Sequence, residues 1–242
     1  MKLFQYWDAP PPPPDVAGWI EGFRTQNPEL EHVLLDHAAA TGLIARHFGP
    51  REVAAFAACA VPAMQADYLR LCLMAAEGGI YMDADHQPHA PLATLIADVP
   101  HAFMPLWRAV VANGELMFRA PRHPFIEACL TVATDNIVNR RFDNVLMATG
   151  PGVCCAVRGA IDVDARRELD GMIPETPWAA QGWYDLVARA DALVQPDDAL
   201  VAAYRQITLM DVGRINQWMG SLPPAYKETD RHWLRWKGSI YR

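Results

Sequence analysis

The sequence is short of positive charge, of paired cysteines and of long apolar runs, and each shortage excludes something. Lys and Arg number 21 against 28 Asp and Glu, a formal net charge of −7. The chain as a whole therefore exerts no electrostatic pull on nucleic acid or anionic lipid, and an anionic ligand must be held by local charges. The local exception is residues 231–242, where Arg231, Arg235, Lys237 and Arg242 stand beside His232, Trp233 and Trp236. This reads as a solvated terminus packing its tryptophans on the body. The five cysteines, Cys59, Cys72, Cys129, Cys154 and Cys155, are scattered and odd in number. They lack the spacing of a zinc site or a disulfide framework, which points to a reducing compartment. The longest apolar stretch, residues 53–66, contains Pro62 and falls short of the roughly 20 residues a spanning helix needs. The start MKLFQYWDAP has no apolar core of a signal peptide. The expectation is a cytoplasmic protein, at most peripheral at the inner face of a membrane.

What is present suits an ordered globular fold: 52% hydrophobic and 20% charged residues, with no stretch of disorder-type composition. Residues 3–6 read as a strand ending in Trp7-Asp8, followed by the stiff run of prolines 10–14. Asp15 is placed to cap a helix over residues 16–25, and Asn27-Pro28 stops it before a second strand at 32–35. Strand, helix, strand begins an α/β sheet. Ala-rich helices follow at 37–48 and 50–59. In 64–77, Met64, Tyr68, Leu71, Cys72 and Ala75 recur at helical spacing while Asp67, Arg70, Met74 and Glu77 share another face. Gly78-Gly79 ends that helix, and Ile80-Tyr81-Met82 is a short strand delivering Asp83 and Asp85 to its C-terminal edge. Strands at 102–107 and 115–119, a helix at 124–138, a tight loop at 149–152 and a helix at 198–210 complete the reading.

Two carboxylates one residue apart at a strand end point the same way and together can bind a hard cation. Mg²⁺ or Mn²⁺ prefers oxygen ligands and is commonly shared between one or two protein carboxylates and substrate phosphates. Alone, Asp-x-Asp is a common surface pattern. Asp67 and Arg70 alone are an i,i+3 pair, readable as a plain surface salt bridge. Tyr81 reads equally as core, and His86 and His89 as solvated loop histidines.

The larger pattern is more specific. Asp67-x-x-Arg70, a helix, Gly78-Gly79-Ile80-Tyr81, then Asp83-x-Asp85 resembles the signature of the DXD-containing sugar-transferring glycosyltransferases, family 32 and the clostridial glucosylating toxins. Ala66 stands where that family often has Ser. Residues 3–7 are similar to its N-terminal strand, with Phe4 where His is frequent. Asn113, the 119–124 run and Thr149-Gly150-Pro151-Gly152 are similar to its Asn, His-Pro and Thr-Gly-Pro elements. The resemblance spans residues 1 to about 155.

It implies an α/β fold of GT-A type: a single domain, with residues 1–155 as a nucleotide-sugar-binding core and 156–242 as a helical, acceptor-side elaboration. It implies a divalent cation, Mn²⁺ or Mg²⁺, held by Asp85 and Asp83, with a late contribution from His232 and Ser239 as a further candidate. Asp67, Arg70, Asp83 and Asp85 would be the catalytic set. Phe4, Gln5, Tyr6, Trp7, Asp67, Arg70, Gly79, Tyr81 and Asp83 would contact the donor. The implied reaction moves a hexose from a nucleotide-diphosphate sugar, UDP-sugar favoured, to a saccharide or glycolipid acceptor with retention. A haloacid-dehalogenase-type Asp-x-Asp phosphohydrolase wants Thr or Val two residues after the second Asp, where Gln87 stands. A catalytically inactive binding subunit of the same fold is the other alternative, against which stands the retention of both acids, Arg70 and Tyr81.

Overall fold

A computed structural model describes residues 1–175, 181–220, 224–229 and 232–242. Strand β1 (Lys2–Tyr6) leads through the prolines into helix α1 (Pro14–Gln26), and β2 (Glu31–Leu35) returns parallel to β1. Asp15 does not cap α1 as expected. Pro13 holds that position, and Asp15 sits in the first turn, accepting from the adjacent Val16 amide, where its charge still favours the positive end of the helix. Asp36 does cap α2 (His37–His47), accepting from the Ala39 amide at 2.8 Å. Helix α3 (Pro50–Ala58) opens with proline in its first turn, and Glu52 folds back on the Gly49 amide.

Helix α4 (Pro62–Ala76) departs from the two-faced expectation. From Met64 to Ala75 all but Ala66 are buried, so Asp67 and Arg70 lie inside the fold and not on a solvated face. Strand β3 (Gly79–Met82) follows at once. Gly78 and Gly79 both have positive φ, 68° and 95°, and a Cβ on Gly79 would stand 2.8 Å from the Lys2 carbonyl oxygen. Only glycine lets β3 lie against β1 at that point. The chain continues through β4 (Gln87–Pro88), α5 (Leu92–Ile96), β5 (Ala102–Trp107), β6 (Val110–Val111) and β7 (Glu115–Phe118). Helices α6 (Pro124–Val138), α7 (Val145–Ala148), α8 (Pro151–Ile161), α9 (Val163–Met172), α10 (Trp183–Leu193) and α11 (Asp198–Tyr204) come next. Strand β8 (Ile207–Asp211), α12 (Val212–Ile215) and β9 (Met219–Gly220) precede the final segment.

The main sheet runs β2, β1, β3, β7, β5, with β8 on the far edge of β5 and β6 pairing with β5 on the β7 side. Strands β2, β1, β3, β5 and β8 point one way, and β7 with β6 the other. The C-terminal ends of β1 and β3 therefore share one edge. Alternation along the strands splits the core. Phe4, Tyr6, Tyr81, Met104 and Phe118 face a large cluster with α4, α6, α8 and α10, whereas Leu3, Ile80, Met82, Phe103 and Met117 face a smaller one with Phe23, Leu95, Met210 and Ile215. The α/β class is as expected.

Two local readings are corrected. The loop expected at 149–152 is shorter: Thr149 and Gly150 make the turn after α7, and Pro151 and Gly152 already belong to the first turn of α8, the usual place for proline at a helix start. Residues 198–210 are not one helix but α11 and then β8, which pairs in parallel with β5 from Ala102↔Ile207 to Leu106↔Asp211. The last residues return to the body. Ala60 donates to the Ile240 carbonyl and Arg242 to that of Ala58, both at 2.8 Å, while Trp236 packs on the large core. Arg231 lies outside the described residues. Among those described, no helix is long and apolar enough to cross a membrane, and all five cysteines are buried free thiols.

Candidate active site

At the shared edge of β1 and β3 a cleft of about 290 Å³ opens over Tyr6, Trp7, Asp67, Arg70, Asp83 and Asp85, with Tyr226, Lys227, His232 and Trp233 on its far side. β3 ends at Met82, so the two acids stand on the turn after the strand, closed by the His86 amide donating to the Asp83 carbonyl at 3.2 Å. Turn geometry, and not strand alternation, aims both into the cleft. Gly114 makes room: a Cβ there would meet Asp83 Oδ2 at 2.9 Å.

Arg70 organises the interior half. Its Nη2 donates to Asp83 Oδ1 at 2.8 Å and lies 3.2 Å from Asp67 Oδ1. Its Nε reaches the Ala66 carbonyl, its Nη1 the Asn113 carbonyl, and the guanidinium lies 4.7 Å over the Tyr81 ring. Burial disfavours its charge, but Asp83 and Asp67 outweigh that and hold it cationic. Asp67 accepts from Asn113 Nδ2 at 3.0 Å and from the Thr149 hydroxyl at 3.5 Å. Burial pushes its carboxyl up to about 6 against the pull of Arg70. Asp83 is likewise raised by burial, with Arg70 opposing and Asp85 adding.

Asp85 is held from elsewhere. Its Oδ2 accepts from the Tyr226 hydroxyl at 2.7 Å and faces Lys227 Nζ at 2.8 Å. Burial would raise its carboxyl, but the charges of Lys227 and His86 with the hydrogen bonds from Lys227 and Tyr226 together outweigh burial and hold it below the usual range. Tyr226 packs edge-on against Trp7, centroids 5.2 Å apart. His86, expected as a solvated loop residue, is instead partly buried with Nδ1 3.0 Å from Glu115 Oε1. Burial lowers its basicity, yet Glu115 prevails and lifts it to about 9.

Of the residues singled out by sequence, Tyr6, Trp7, Asp67, Arg70, Asp83, Asp85 and His232 come together on the cleft. Phe4, Gln5, Gly79 and Tyr81, expected at the donor, do not line it. Phe4 and Tyr81 are buried in the large core, Gly79 lies against β1, and Gln5 spans from His32 Nε2 at 2.9 Å to the Asp83 carbonyl at 3.5 Å. Of the four, Gln5 reaches the turn itself, from behind. Ser239 accepts from the Tyr241 amide in its own tail. Tyr226 and Lys227 were not anticipated: they stand 141 and 142 residues beyond Asp85, with no local pattern to mark them. Asn113 and Thr149, seen only as elements of a resemblance, both converge on Asp67.

Ligand atoms of Asp83, Asp85 and His86 lie within 4.8 Å of one another, the group among the described residues suited to a metal ion. With His86 charged against Glu115, the donors left are two carboxylates, oxygen ligands of the kind a hard divalent cation takes when a phosphate completes its shell. His232 lines the cleft but is not in that group.

Residues 13–101 match the family model described as "Glycosyltransferase sugar-binding region containing DXD motif". Over that stretch the chain is similar to the DXD-containing glycosyltransferases. The matched stretch holds Asp67, Arg70, Asp83 and Asp85, while Trp7, Asn113 and Tyr226 fall outside it. The initiation-specific alpha-1,6-mannosyltransferase of Schizosaccharomyces pombe is 31% identical over 172 residues, 57% of this chain. The match spans 43% of that relative's length. The solved PaToxG glycosyltransferase superposes with a TM-score of 0.48 at 15% identity, over 83% of this chain and 85% of its own.

Proposed function

We propose that the chain is a metal-dependent glycosyltransferase of GT-A type, moving a hexose from a nucleotide-diphosphate sugar to a saccharide or lipid-linked saccharide acceptor with retention. The observation that supports it is the convergence of Asp67, Arg70, Asp83 and Asp85 on one cleft at the C-terminal ends of parallel strands, where open α/β sheets bind ligands. Asp85 and Asp83 would hold Mn²⁺ or Mg²⁺. When bound, the ion would neutralise the charge that develops on the departing diphosphate.

The chain's own groups divide the remaining work. Arg70 is already committed to Asp83, Asp67 and two carbonyls, so its part is to fix the acids and not to reach the donor. Asp67 presents a buried carboxylate to sugar hydroxyls, and a donor lacking them would leave it unpaired. Tyr6, Trp7 and Tyr226 give the base an aromatic wall. UDP-sugar is the favoured donor, and the mannosyltransferase relative adds mannose to the sugars to be tried. In this reading residues 1–155 bind the donor and 156–242 supply the acceptor side and the far wall, in one domain working in the cytoplasm or at the inner membrane face.

The test is thermal stability against UDP- and GDP-sugars with and without manganese, in the wild type and in Asp85→Ala. A ligand at a hundred times its Kd adds about 2.7 kcal/mol to the native state. A shift that needs both metal and one nucleotide sugar and vanishes in the variant supports the reading. No shift with any nucleotide sugar overturns it.

A further inference from the structure

We propose that Lys227 is a built-in competitor for the cation site, its ammonium standing on Asp85 where a divalent ion would, so that cation binding releases the segment 224–229 from the acids. This rests on the reading of Asp83 and Asp85 as a cation site. The two cations beside these acids differ in kind. Arg70 is fully enclosed and is held by Asp83, Asp67, two carbonyls and the Tyr81 ring. Lys227 is partly exposed and bonded to Asp85 Oδ2 alone among the contacts described.

That same oxygen also accepts from the Tyr226 hydroxyl. An oxygen carrying an ammonium at 2.8 Å and a hydroxyl at 2.7 Å has no lone pair well placed for a hard ion. A dication and an ammonium on one carboxylate would also repel strongly at such range. At that oxygen the two occupants therefore exclude each other, and across the carboxylate they compete. Among the described contacts, the segment's other anchors are small and separate ones that can yield: the Trp7–Tyr226 edge contact, the Tyr226–His232 ring contact, the Ala225 amide on Asp15 Oδ2 at 3.1 Å and the Glu228–Arg235 ion pair. By linkage, whatever the ion gains at Asp85 is lost by the segment's docking, and the reverse.

The test is calorimetric titration of manganese chloride alone into the wild type, Lys227→Met and Asp85→Asn. Removing the competitor should tighten Mn²⁺ binding on the order of tenfold in Lys227→Met, with Lys227→Gln as the alternative should the first variant fold poorly. Asp85→Asn should bind no ion. In the wild type, trypsin cleavage after Lys227 should speed up several-fold with Mn²⁺, and not in Asp85→Asn. Equal or weaker Mn²⁺ binding without the lysine, while the wild type binds and Asp85→Asn does not, overturns the competitor and leaves the cation site standing. No binding in any of the three overturns both.

Discussion

Asp83 and Asp85 are two residues apart, yet one is neutralised from inside the fold by an arginine on the preceding helix, and the other by a tyrosine and a lysine more than 140 residues further on. The difference separates what the fold supplies in advance from what it supplies conditionally. The Arg70 side is framed by α4, β3 and the Asn113 loop, all buried. The Lys227 side is a surface segment that meets the body through Tyr226 on Trp7 and the Ala225 amide on Asp15, among the described contacts.

The sharpest way to break that contrast is Arg70→Met. Removing one partner of a buried ion set strands Asp67 and Asp83 and should cost about 3–5 kcal/mol, read by urea unfolding. A loss below about 1 kcal/mol would show that water already reaches this side. Next comes Gly79→Ala, which tests the frame itself. Positive φ and the Lys2 carbonyl at 2.8 Å should together cost about 2–3 kcal/mol, read as a lowered Tm, and a neutral result would mean that β1 and β3 can part without loss.

The third prediction concerns pH. Asp67 has a folded pKa of about 6, above its ordinary 3.8, so the folded chain binds that proton more tightly than the unfolded chain. Its ionisation therefore destabilises, by an amount absent below about pH 4 and complete above about pH 6. Asp67→Asn should flatten the fall in stability across that window by about 1–2 kcal/mol, followed by unfolding at pH 4.5 and 7. An unchanged slope would mean that Arg70 keeps Asp67 ionised throughout. The smallest effect is assigned to Lys227→Met, whose pair is partly solvated: a stability change within about 1 kcal/mol. A loss as large as that of Arg70→Met would erase the distinction between the two halves.

The same division governs what could be read from sequence. The Arg70 half was legible because its parts are close along the chain and carry strong local signals: helical spacing, a Gly-Gly stop, then a short apolar run with two acids. Strands β1, β2, β3, β5 and β7 and helix α6 were legible for the same reason. Tyr226 and Lys227 carry no signal, since a solvent-side Tyr-Lys pair is ordinary until the fold sets it on Asp85. The first residues of the helix starting at Pro151 were read as part of the preceding loop because Gly-Pro serves both a turn and a helix start. Strand β8 was merged into α11 because no glycine or proline separates Tyr204 from Ile207, and the Ile-Thr-Leu-Met run declares itself only beside β5. Phe4, Gln5, Gly79 and Tyr81 were assigned to the donor by position in a pattern. Their burial behind the cleft is set by how β1 and β3 pack, which no local pattern announces.

The late arrival of β8 has a consequence for synthesis. Residues 102–106 pair along one edge with a strand that begins at Ile207, so for about a hundred residues of elongation β5 presents bare amides and carbonyls to whatever is nearby. Exposed edges of this kind template pairing between chains. The nascent protein is thus most prone to self-association in the interval between the emergence of Trp107 and that of Asp211, and a fragment ending before β8 would carry that open edge permanently.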